Sequence, residues 1–139
     1  MTTSEKGLTL IELFEGLRLE AYKPVKTEKY YTIGYGHYGA DVKPGMKITV
    51  EQARAYLKKD VKSAEKAVEK YAPYGINQNQ FDALVSFTYN CGAGNLRTLC
   101  ANRNIEQIGN SIKKYNKAGG KVLNGLIRRR KAETDLYFS

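Results

Sequence analysis

The sequence predicts an α+β fold in which a small extended lobe near the N-terminus is followed by a larger helical bundle. Residues 18–40 are rich in tyrosine and glycine and have extended character, whereas apolar residues recur at helical steps from residue 49 onward. Strands that are segregated from helices in this way are typical of α+β rather than α/β proteins. We expect one domain, residues 1–139, with a cleft between its lobes as the favoured place for a site.

The N-terminal part begins with a helix that is predicted to run from Ser4, its cap, to about Glu15, where Gly16 would end it. Its apolar residues recur at three- and four-residue steps and predict a buried stripe of Leu10, Leu13, Phe14 and Leu17. Because this helix precedes the extended segment, we expect it to join the two lobes. Residues 41–48 are predicted to form a loop that bends at Pro44 and Gly45.

The helical part contains three matches to a capping box, in which a polar cap residue is followed three positions later by Gln or Glu. The matches are Thr49 with Gln52, Asn77 with Gln80, and Asn104 with Gln107. Turns that contain glycine, at residues 72–75, 91–94 and 118–120, separate the helices. The last helix is predicted to bury its apolar residues, which are Leu123, Leu126, Ile127 and Leu136.

The composition excludes several kinds of protein and favours a polyanionic partner. The formal net charge of +9 suits a nucleic acid, an anionic membrane surface or an anionic cell-wall polymer, although solubility alone also explains it. No window approaches the roughly 20 apolar residues that span a bilayer, and no signal peptide is recognised. Cys91 and Cys100 make no disulfide framework and are expected to be free thiols. One histidine cannot complete a common zinc site, so no metal or other cofactor is expected.

The stretch YYTIGYGHYG, residues 30–39, predicts a strand with one bare face, because side chains alternate along a strand. One face would carry the side chains that pack on a core, namely Tyr31, Ile33 and Tyr35. The other face would carry Tyr30, Thr32, Gly34 and Gly36. A face without side chains lets a ligand approach the backbone, and Thr32 would be the only hydrogen-bonding side chain past Tyr30. The alternative is a glycine-bulged strand beneath a loop.

Glu15, beside the glycine that would end the first helix, is the candidate acid. A helix C-terminus carries partial negative charge, which disfavours a carboxylate, and partial burial behind Phe14 and Leu17 would disfavour it further. Both effects favour the protonated form that a general acid needs near neutral pH. The alternative is an ordinary solvated glutamate at a helix end.

Three blocks of the sequence resemble the phage-type lysozymes, glycoside hydrolase family 24. Residues 13–39, LFEGLRLEAYKP…TEKYYTIGYGHYG, resemble the family's F-E-G-x-R-L-x-A-Y and T-I-G-Y-G-H signature. Residues 76–96 resemble its Q-x-D-A-L-V-S-F-x-x-N-x-G block, and residues 119–133 resemble its closing G-L-x-x-R-R-x-A-E helix. The resemblance implies a lysozyme-like fold and cleavage of the β-1,4 bond between N-acetylmuramic acid and N-acetylglucosamine in peptidoglycan.

The resemblance also implies roles for single residues. Glu15 matches the catalytic glutamate that protonates the glycosidic oxygen, and Thr32 matches the threonine that helps to place the attacking water. His37 matches a structural histidine, and we expect a hydrogen-bonded fastener rather than a proton shuttle. Substrate contacts are implied for Gly34, Tyr35 and Gly36 in the cleft floor and for Asn90 in the opposite wall. From its spacing, Arg129 is expected to form a structural pair with Glu133.

The sequence departs from the family at the second carboxylate. Many members carry Asp, sometimes Cys, nine positions after the glutamate, and here that position is Pro24. If the position of this acid is counted back from Thr32 and not forward from Glu15, it falls on Lys26. The two counts differ because the loop between Glu15 and Thr32 is longer than in compact members of the family. Glu28 is the nearest carboxylate and is the candidate second catalytic group. Hydrolysis is expected, and the attacking water would be oriented either by Glu28 or by Thr32 and backbone groups alone. The alternative is ring closure by the muramic 6-hydroxyl, the reaction of a lytic transglycosylase.

The implied biology is that of a bacteriophage or prophage endolysin, a monomer whose partner is the glycan strand of bacterial peptidoglycan. It would wait in the host cytoplasm until a holin opens the membrane, with no nucleic acid partner and no membrane insertion of its own. Three rivals stay open. A nucleic-acid-binding protein would explain the charge, a cysteine amidase or peptidase would use Cys91 and His37, and an inactive wall-binding module would explain the missing Asp.

Overall fold

The computed structural model describes residues 1–139 and confirms the α+β class. The helices are α1 (Glu5–Glu15), α2 (Val50–Tyr71), α3 (Gln78–Cys91), α4 (Ala93–Cys100), α5 (Ile105–Ser111) and α6 (Asn124–Tyr137), and a single 3-10 turn, Ile112–Lys114, follows α5. The strands are β1 (Arg18–Tyr22), β2 (Tyr31–Gly34), β3 (His37–Gly39), β4 (Lys117–Ala118) and β5 (Lys121–Val122). None of the helices is long and apolar enough to cross a bilayer.

The chain divides into two compact units, residues 11–60 and residues 1–10 with 61–139. The first unit contains the sheet of β1, β2 and β3, and its buried apolar residues are Ile11, Ile33, Val42, Ala53 and Leu57. The second unit is helical, and its core is built around α3, which is buried along residues 81–88 and packs against α4 and α6. That both units act as one catalytic domain, residues 1–139, stays a prediction.

The three-stranded sheet has the order β1-β2-β3 with antiparallel neighbours, so β2 is its central strand. β2 pairs regularly with β3 around a turn at residues 35–36. The pairing with β1 is irregular, because Arg18 lies opposite Gly34 and Tyr22 lies opposite Thr32. The chain thus advances four residues along β1 for two residues along β2. The bulge lies in β1 and not in β2, the strand for which a glycine bulge was the alternative prediction.

All three predicted capping boxes are confirmed. The Asn77 side chain accepts from the backbone N–H of Gln80 at 2.8 Å, and the Gln80 side chain accepts from the backbone N–H of Asn77 at 2.8 Å. The same exchange starts α5 at Asn104 and α2 at Thr49. Each box satisfies two N–H groups near the start of a helix, and together they fix where three helices begin.

The buried face of α1 differs from the predicted stripe, which is wrong at two of its four members. Leu13 is 73% exposed and Leu17 is 37% exposed, whereas Leu8 and Ile11 are buried. The helix ends as predicted, since Gly16 adopts a φ of 73° that favours glycine.

The orientation of the start of α1 is set by Asp82 of α3, which lies in the same compact unit as residues 1–10. Asp82 accepts hydrogen bonds from the backbone N–H of Ser4 at 3.0 Å and from the Ser4 hydroxyl. A Cβ on Gly7 would lie only 2.8 Å from Cγ of Asp82, so this side of α1 touches α3 directly. Ser4 precedes the helix as predicted, but its hydroxyl binds Asp82.

Two predictions for the C-terminal helices are also wrong. Gly92, with a φ of 88°, ends α3, but the chain then forms α4 from Ala93 onward and not only a turn. Leu123, which directly precedes α6, and Ile127 within it are 44% and 43% exposed. The residues that α6 buries are mostly polar or charged, namely Arg129, Arg130, Glu133, Thr134 and Tyr137.

Candidate active site

Glu15 is the last residue of α1 and is half-buried. The last turn of this helix is closed by a hydrogen bond from the Gly16 N–H to the Glu12 carbonyl at 3.1 Å. The Glu12 carboxylate lies 3.2 Å from the guanidinium of Arg54 in α2. Since Glu12, Glu15 and Arg54 belong to the same unit, this ion pair ties the end of α1 to α2 and restricts where the Glu15 carboxyl can lie.

Thr32 occupies the middle of the central strand β2. It lies opposite Tyr38 on one side and Tyr22 on the other, and it is only 9% exposed. Pairing with strands on both sides fixes the backbone of Thr32, and burial limits the movement of its side chain. Glu15 belongs to the same unit as Thr32 and is three residues from the start of β1. The structure therefore brings the two main candidates into one compact unit.

The glycines near Thr32 have structural explanations of their own. Gly34 is buried and has a φ of 67°, and a Cβ there would lie 3.4 Å from Cβ of Ala53 in α2. The predicted bare face is thus wrong at Gly34, because α2 covers the side where a side chain would point. Gly36 is exposed, has a φ of 85° and completes the turn to β3, beside the half-buried Tyr35. Substrate contacts at these three positions stay a prediction.

Glu28 lies in the exposed loop that joins β1 to β2. Its backbone N–H donates to the Val25 carbonyl at 3.2 Å, which closes a local turn within the loop. Pro24 and Lys26 are exposed in the same loop. The departure from the family pattern is therefore confined to a surface segment, and a catalytic role for Glu28 stays a prediction.

His37 joins three parts of the unit formed by residues 11–60. Its Nδ1 lies 2.8 Å from Oδ2 of Asp60 in α2, and its Nε2 lies 2.9 Å from Oδ2 of Asp41, which follows β3. The ring also stacks on Tyr56, with 4.1 Å between ring centroids. Both ring nitrogens thus face carboxylate oxygens, and both can donate only when the imidazole is protonated.

The two carboxylates change the titration of His37. Burial alone would lower the pKa of His37, but hydrogen bonds to Asp41 and Asp60 outweigh it and raise the pKa above its usual value. The same hydrogen bond lowers the pKa of Asp41. These contacts link β3 to α2, and they leave neither ring nitrogen free, whereas a proton shuttle or the histidine of a cysteine protease needs one of them.

A buried charge cluster lies at the centre of the unit formed by residues 61–139 with residues 1–10. The predicted pair is present, with Nε of Arg129 3.3 Å from Oε2 of Glu133. Arg130 also binds Glu133, with 2.6 Å between Nε and Oε1 and 3.0 Å between Nη2 and Oε2. The hydroxyl of Ser86 in α3 donates to Oε2 of Glu133 at 2.6 Å. All four side chains are buried, so the cluster fastens α6 to α3.

Sequence reasoning found only part of this cluster. From the sequence, at least one of Arg128, Arg129 and Arg130 was expected to pair with an acid, and the four-residue spacing predicted the pair of Arg129 with Glu133. That Arg130 binds the same glutamate, and that Ser86 does so too, was not predicted. The sequence did contain a signal for it. Glu133 follows a run of three arginines and lies four residues after Arg129 and three residues after Arg130. Burial raises the pKa of Glu133, and the guanidiniums of Arg130 and Arg129 oppose that rise.

Cys91 and Cys100 are free thiols. Burial raises the pKa of Cys91, although the neighbouring Arg130 opposes the rise, and burial raises the pKa of Cys100 to about 11. A thiol that stays protonated is a poor nucleophile, which argues against a cysteine amidase.

Asn90, next to Cys91, is exposed and lines a groove of about 380 Å³ with Asn95. Its contact with substrate stays a prediction. No group of three or more His, Cys, Asp or Glu side chains is arranged to hold a metal ion.

A small antiparallel sheet, a helical unit and a glutamate at the end of the first helix together define a lysozyme-like protein. The profile of the family described as Phage lysozyme matches residues 12–133, and the chain belongs to this family.

Known relatives agree with this assignment. The endolysin of Bacillus phage B103 is 47% identical over 144 residues, which cover 100% of this chain and 55% of that protein. The chain therefore spans just over half the length of this relative. Among solved structures, the endolysin of the Escherichia coli phage FAHEc1 has a TM-score of 0.86 at 41% identity, covering 100% of this chain and 94% of that one. The muramidase domain of SpmX from Asticaccaulis excentricus has a TM-score of 0.88 at 32% identity, covering 99% and 98%. The lysozyme-like fold is thus confirmed.

Proposed function

We propose that this chain is a peptidoglycan β-1,4-N-acetylmuramidase, which hydrolyses the bond between N-acetylmuramic acid and N-acetylglucosamine and so lyses a bacterial host. The observation that carries the proposal is that Glu15, at the end of α1, and Thr32, in the central strand, belong to one compact unit. Membership of the phage lysozyme family supports it, and so does the endolysin name of the relatives.

Glu15 is the proposed general acid. The leaving sugar must receive a proton as the glycosidic bond breaks, so a carboxylic acid has to reach the glycosidic oxygen. Glu15 is followed by the exposed Gly16, around which no atom lies within 4 Å of the position of a Cβ. Apart from its chain neighbours, the side on which Gly16 would carry a side chain is therefore open, and the ion pair of Glu12 with Arg54 holds the helix end in place.

Thr32 is the proposed residue that orients the attacking water. A hydroxyl can donate one hydrogen bond and accept others, so it can position a water molecule without taking its proton. Glycosidases that use a water directly have a second carboxylate about 6.5–9.5 Å from the acid. Glu28 is the proposed second carboxylate, and the alternative is that Thr32 and backbone groups orient the water alone.

The test of the acid is Glu15→Gln, with Glu20→Gln as the matched control. Both changes remove one carboxylate without changing side-chain size, and Glu20 is exposed in β1, five residues after Glu15. We expect Glu15→Gln to lower the rate of clearing of a cell-wall suspension about 10²–10⁴-fold, while Glu20→Gln stays close to wild type. Equal rates for both variants, with both folded by circular dichroism, would remove Glu15 from the mechanism.

The products decide between the chemical alternatives. Mass spectrometry of digested peptidoglycan should show reducing-end muramic acid, whereas 1,6-anhydro ends would replace hydrolysis with transglycosylation. A wild-type chain that binds walls and releases neither product would be an inactive wall-binding module. Glu28→Gln should then lose most activity if Glu28 is the second carboxylate. If it keeps the wild-type rate, water placement rests on Thr32.

We also propose that the chain is made in the host cytoplasm and reaches the wall through a holin. Expression of the chain in a sensitive bacterium should cause lysis only when a holin is co-expressed. Lysis at the same time without the holin would contradict this part of the proposal, and it would leave the proposed hydrolysis intact.

A further inference from the structure

The last turns of α1 carry two glutamates on the same side of the helix. Residues three or four positions apart are neighbours on a helix surface. On α1 such steps connect Leu8, Ile11, Glu12 and Glu15. The two apolar residues are buried and the two glutamates are half-buried, whereas Leu13, on the opposite side, is 73% exposed. Glu12 is therefore a direct neighbour of Glu15 on the side of α1 that packs on the protein.

Arg54 of α2 binds Glu12, the glutamate that is not the proposed acid. Its Nη2 lies 3.2 Å from Oε1 of Glu12, and the two side chains are only 32% and 17% exposed. Water and salt screen such a partly buried pair less than an exposed one, so it restricts the last turn of α1 more than a surface ion pair would. This restriction matters because residues 16–20, which follow the helix, are all exposed and add little packing of their own.

The same part of α2 also contacts the strand that carries Thr32. Ala53, the residue before Arg54, is buried. It covers Gly34, where a Cβ would lie 3.4 Å from Cβ of Ala53, and Gly34 is two positions after Thr32 in β2. Successive residues of α2 thus contact the helix that ends with Glu15 and the strand that contains Thr32, all within one compact unit. The position of the acid relative to the hydroxyl therefore depends on this part of α2.

We propose that Arg54 is a positioning residue of the reaction, which acts through Glu12 to hold the carboxyl of Glu15 within reach of the glycosidic oxygen. The inference rests on the proposed function, in which Glu15 is the general acid. A misplacement of about 1 Å in an active site can cost about a hundredfold in rate. Because Arg54 acts on the placement of the acid and not on the binding of the glycan, its loss should lower kcat and leave KM nearly unchanged.

The test breaks the ion pair from each side and then restores it with the charges exchanged. Arg54→Gln and Glu12→Gln are the single variants, and Glu12→Arg combined with Arg54→Glu is the exchanged pair. Lys58→Gln is the control, because Lys58 is exposed one turn further along α2 and its change also removes one positive charge. Either single variant is sufficient if the other does not fold.

Two measurements are made on each variant, at a temperature at which circular dichroism shows it to be folded. The first is kcat and KM on soluble glycan strands of peptidoglycan. The second is hydrogen exchange at the backbone N–H of Gly16, which donates to the Glu12 carbonyl at 3.1 Å and reports the order of the last turn of α1 without any substrate.

We expect both single variants to lose at least about tenfold in kcat, with KM within about twofold of wild type. The Gly16 N–H should exchange at least about fivefold faster in them. The exchanged pair should restore both values to within about threefold, and Lys58→Gln should match wild type.

A folded single variant with the wild-type kcat, or an equal loss in Lys58→Gln, would overturn the proposal. A loss confined to KM would overturn it as well, because Arg54 would then be a contact of the substrate. So would an exchanged pair that restores the slow exchange of the Gly16 N–H but not kcat. Wild-type activity of Glu15→Gln would instead count against the proposed function.

Discussion

The free energy of unfolding should fall sharply when Glu133 is changed to Gln. The substitution preserves size and shape but removes the negative charge that Arg129 and Arg130 share, and their side chains are 4% and 1% exposed. Two buried guanidiniums would then lose a carboxylate that both of them contact. The neutral amide can still accept the hydrogen bond from Ser86, so the loss reports mainly on charge.

The size of the effect follows from the burial of the cluster. Removing one partner of a buried ion pair typically costs about 3–5 kcal/mol, because the remaining charge keeps its desolvation penalty. Domains are stable by roughly 5–15 kcal/mol, so Glu133→Gln should remove about a fifth or more of the total. For a chain of this length the midpoint of thermal unfolding should fall by roughly 10 °C or more. Replacing Glu133, Arg129 and Arg130 together by Met should cost less than Glu133→Gln alone.

The assay is chemical unfolding followed by circular dichroism, with Lys131→Gln as the control. Lys131 and Asp135 also form an i,i+4 pair in α6, at 2.9 Å, but their side chains are 67% and 62% exposed. Breaking such an exposed pair should cause no measurable loss. If Glu133→Gln and Lys131→Gln unfold at the same denaturant concentration, the reasoning from buried charge is refuted.

Two other predictions concern stability. Burial alone would lower the pKa of His37, but its two carboxylate partners raise that pKa. The stabilisation that His37 gives the folded protein is therefore complete below its unfolded pKa of about 6.5 and is lost as the pH rises through its folded pKa. Urea unfolding should therefore show the difference between wild type and His37→Gln shrinking towards alkaline pH, and a constant difference would contradict this. Gly7→Ala should cost about 1–3 kcal/mol, because its Cβ would lie 2.8 Å from Cγ of Asp82. Gly94→Ala, with no atom within 4 Å, should be neutral or stabilising by up to about 1 kcal/mol, and similar losses for both variants would rule out the steric reason.

The starts of helices could be predicted from the sequence because their signals are local. A capping box needs only a cap residue and a partner three positions later, and the bonds of Asn77 and Asn104 form within one turn of helix. The end of α1 at Gly16 is equally local, since it depends on one backbone angle. No distant residue has to be known for these features.

The buried faces of α1 and α6 could not be predicted, because they depend on residues far away in the sequence. In α1 the contact of Gly7 with Asp82 selects one of two overlapping apolar stripes. In α6 hydropathy assigns the arginines to solvent, and only the shared partner Glu133, together with Ser86 of α3, makes their burial favourable. When a helix buries its charged face, as α6 does, the pattern of apolar residues predicts the wrong face as the buried one.

The candidate site shows the same division between local and distant causes. Glu15 was found from its place beside a helix-ending glycine and from the family signature, both of which can be read in order along the chain. A glycine in a strand has two possible explanations, close approach by a ligand or close approach by the protein itself. At Gly34 the protein supplies the neighbour, because Ala53 of α2 lies where a side chain would point. The proposed catalysis therefore rests on the carboxyl of Glu15 and the hydroxyl of Thr32, and the glycines between the strands add no independent support.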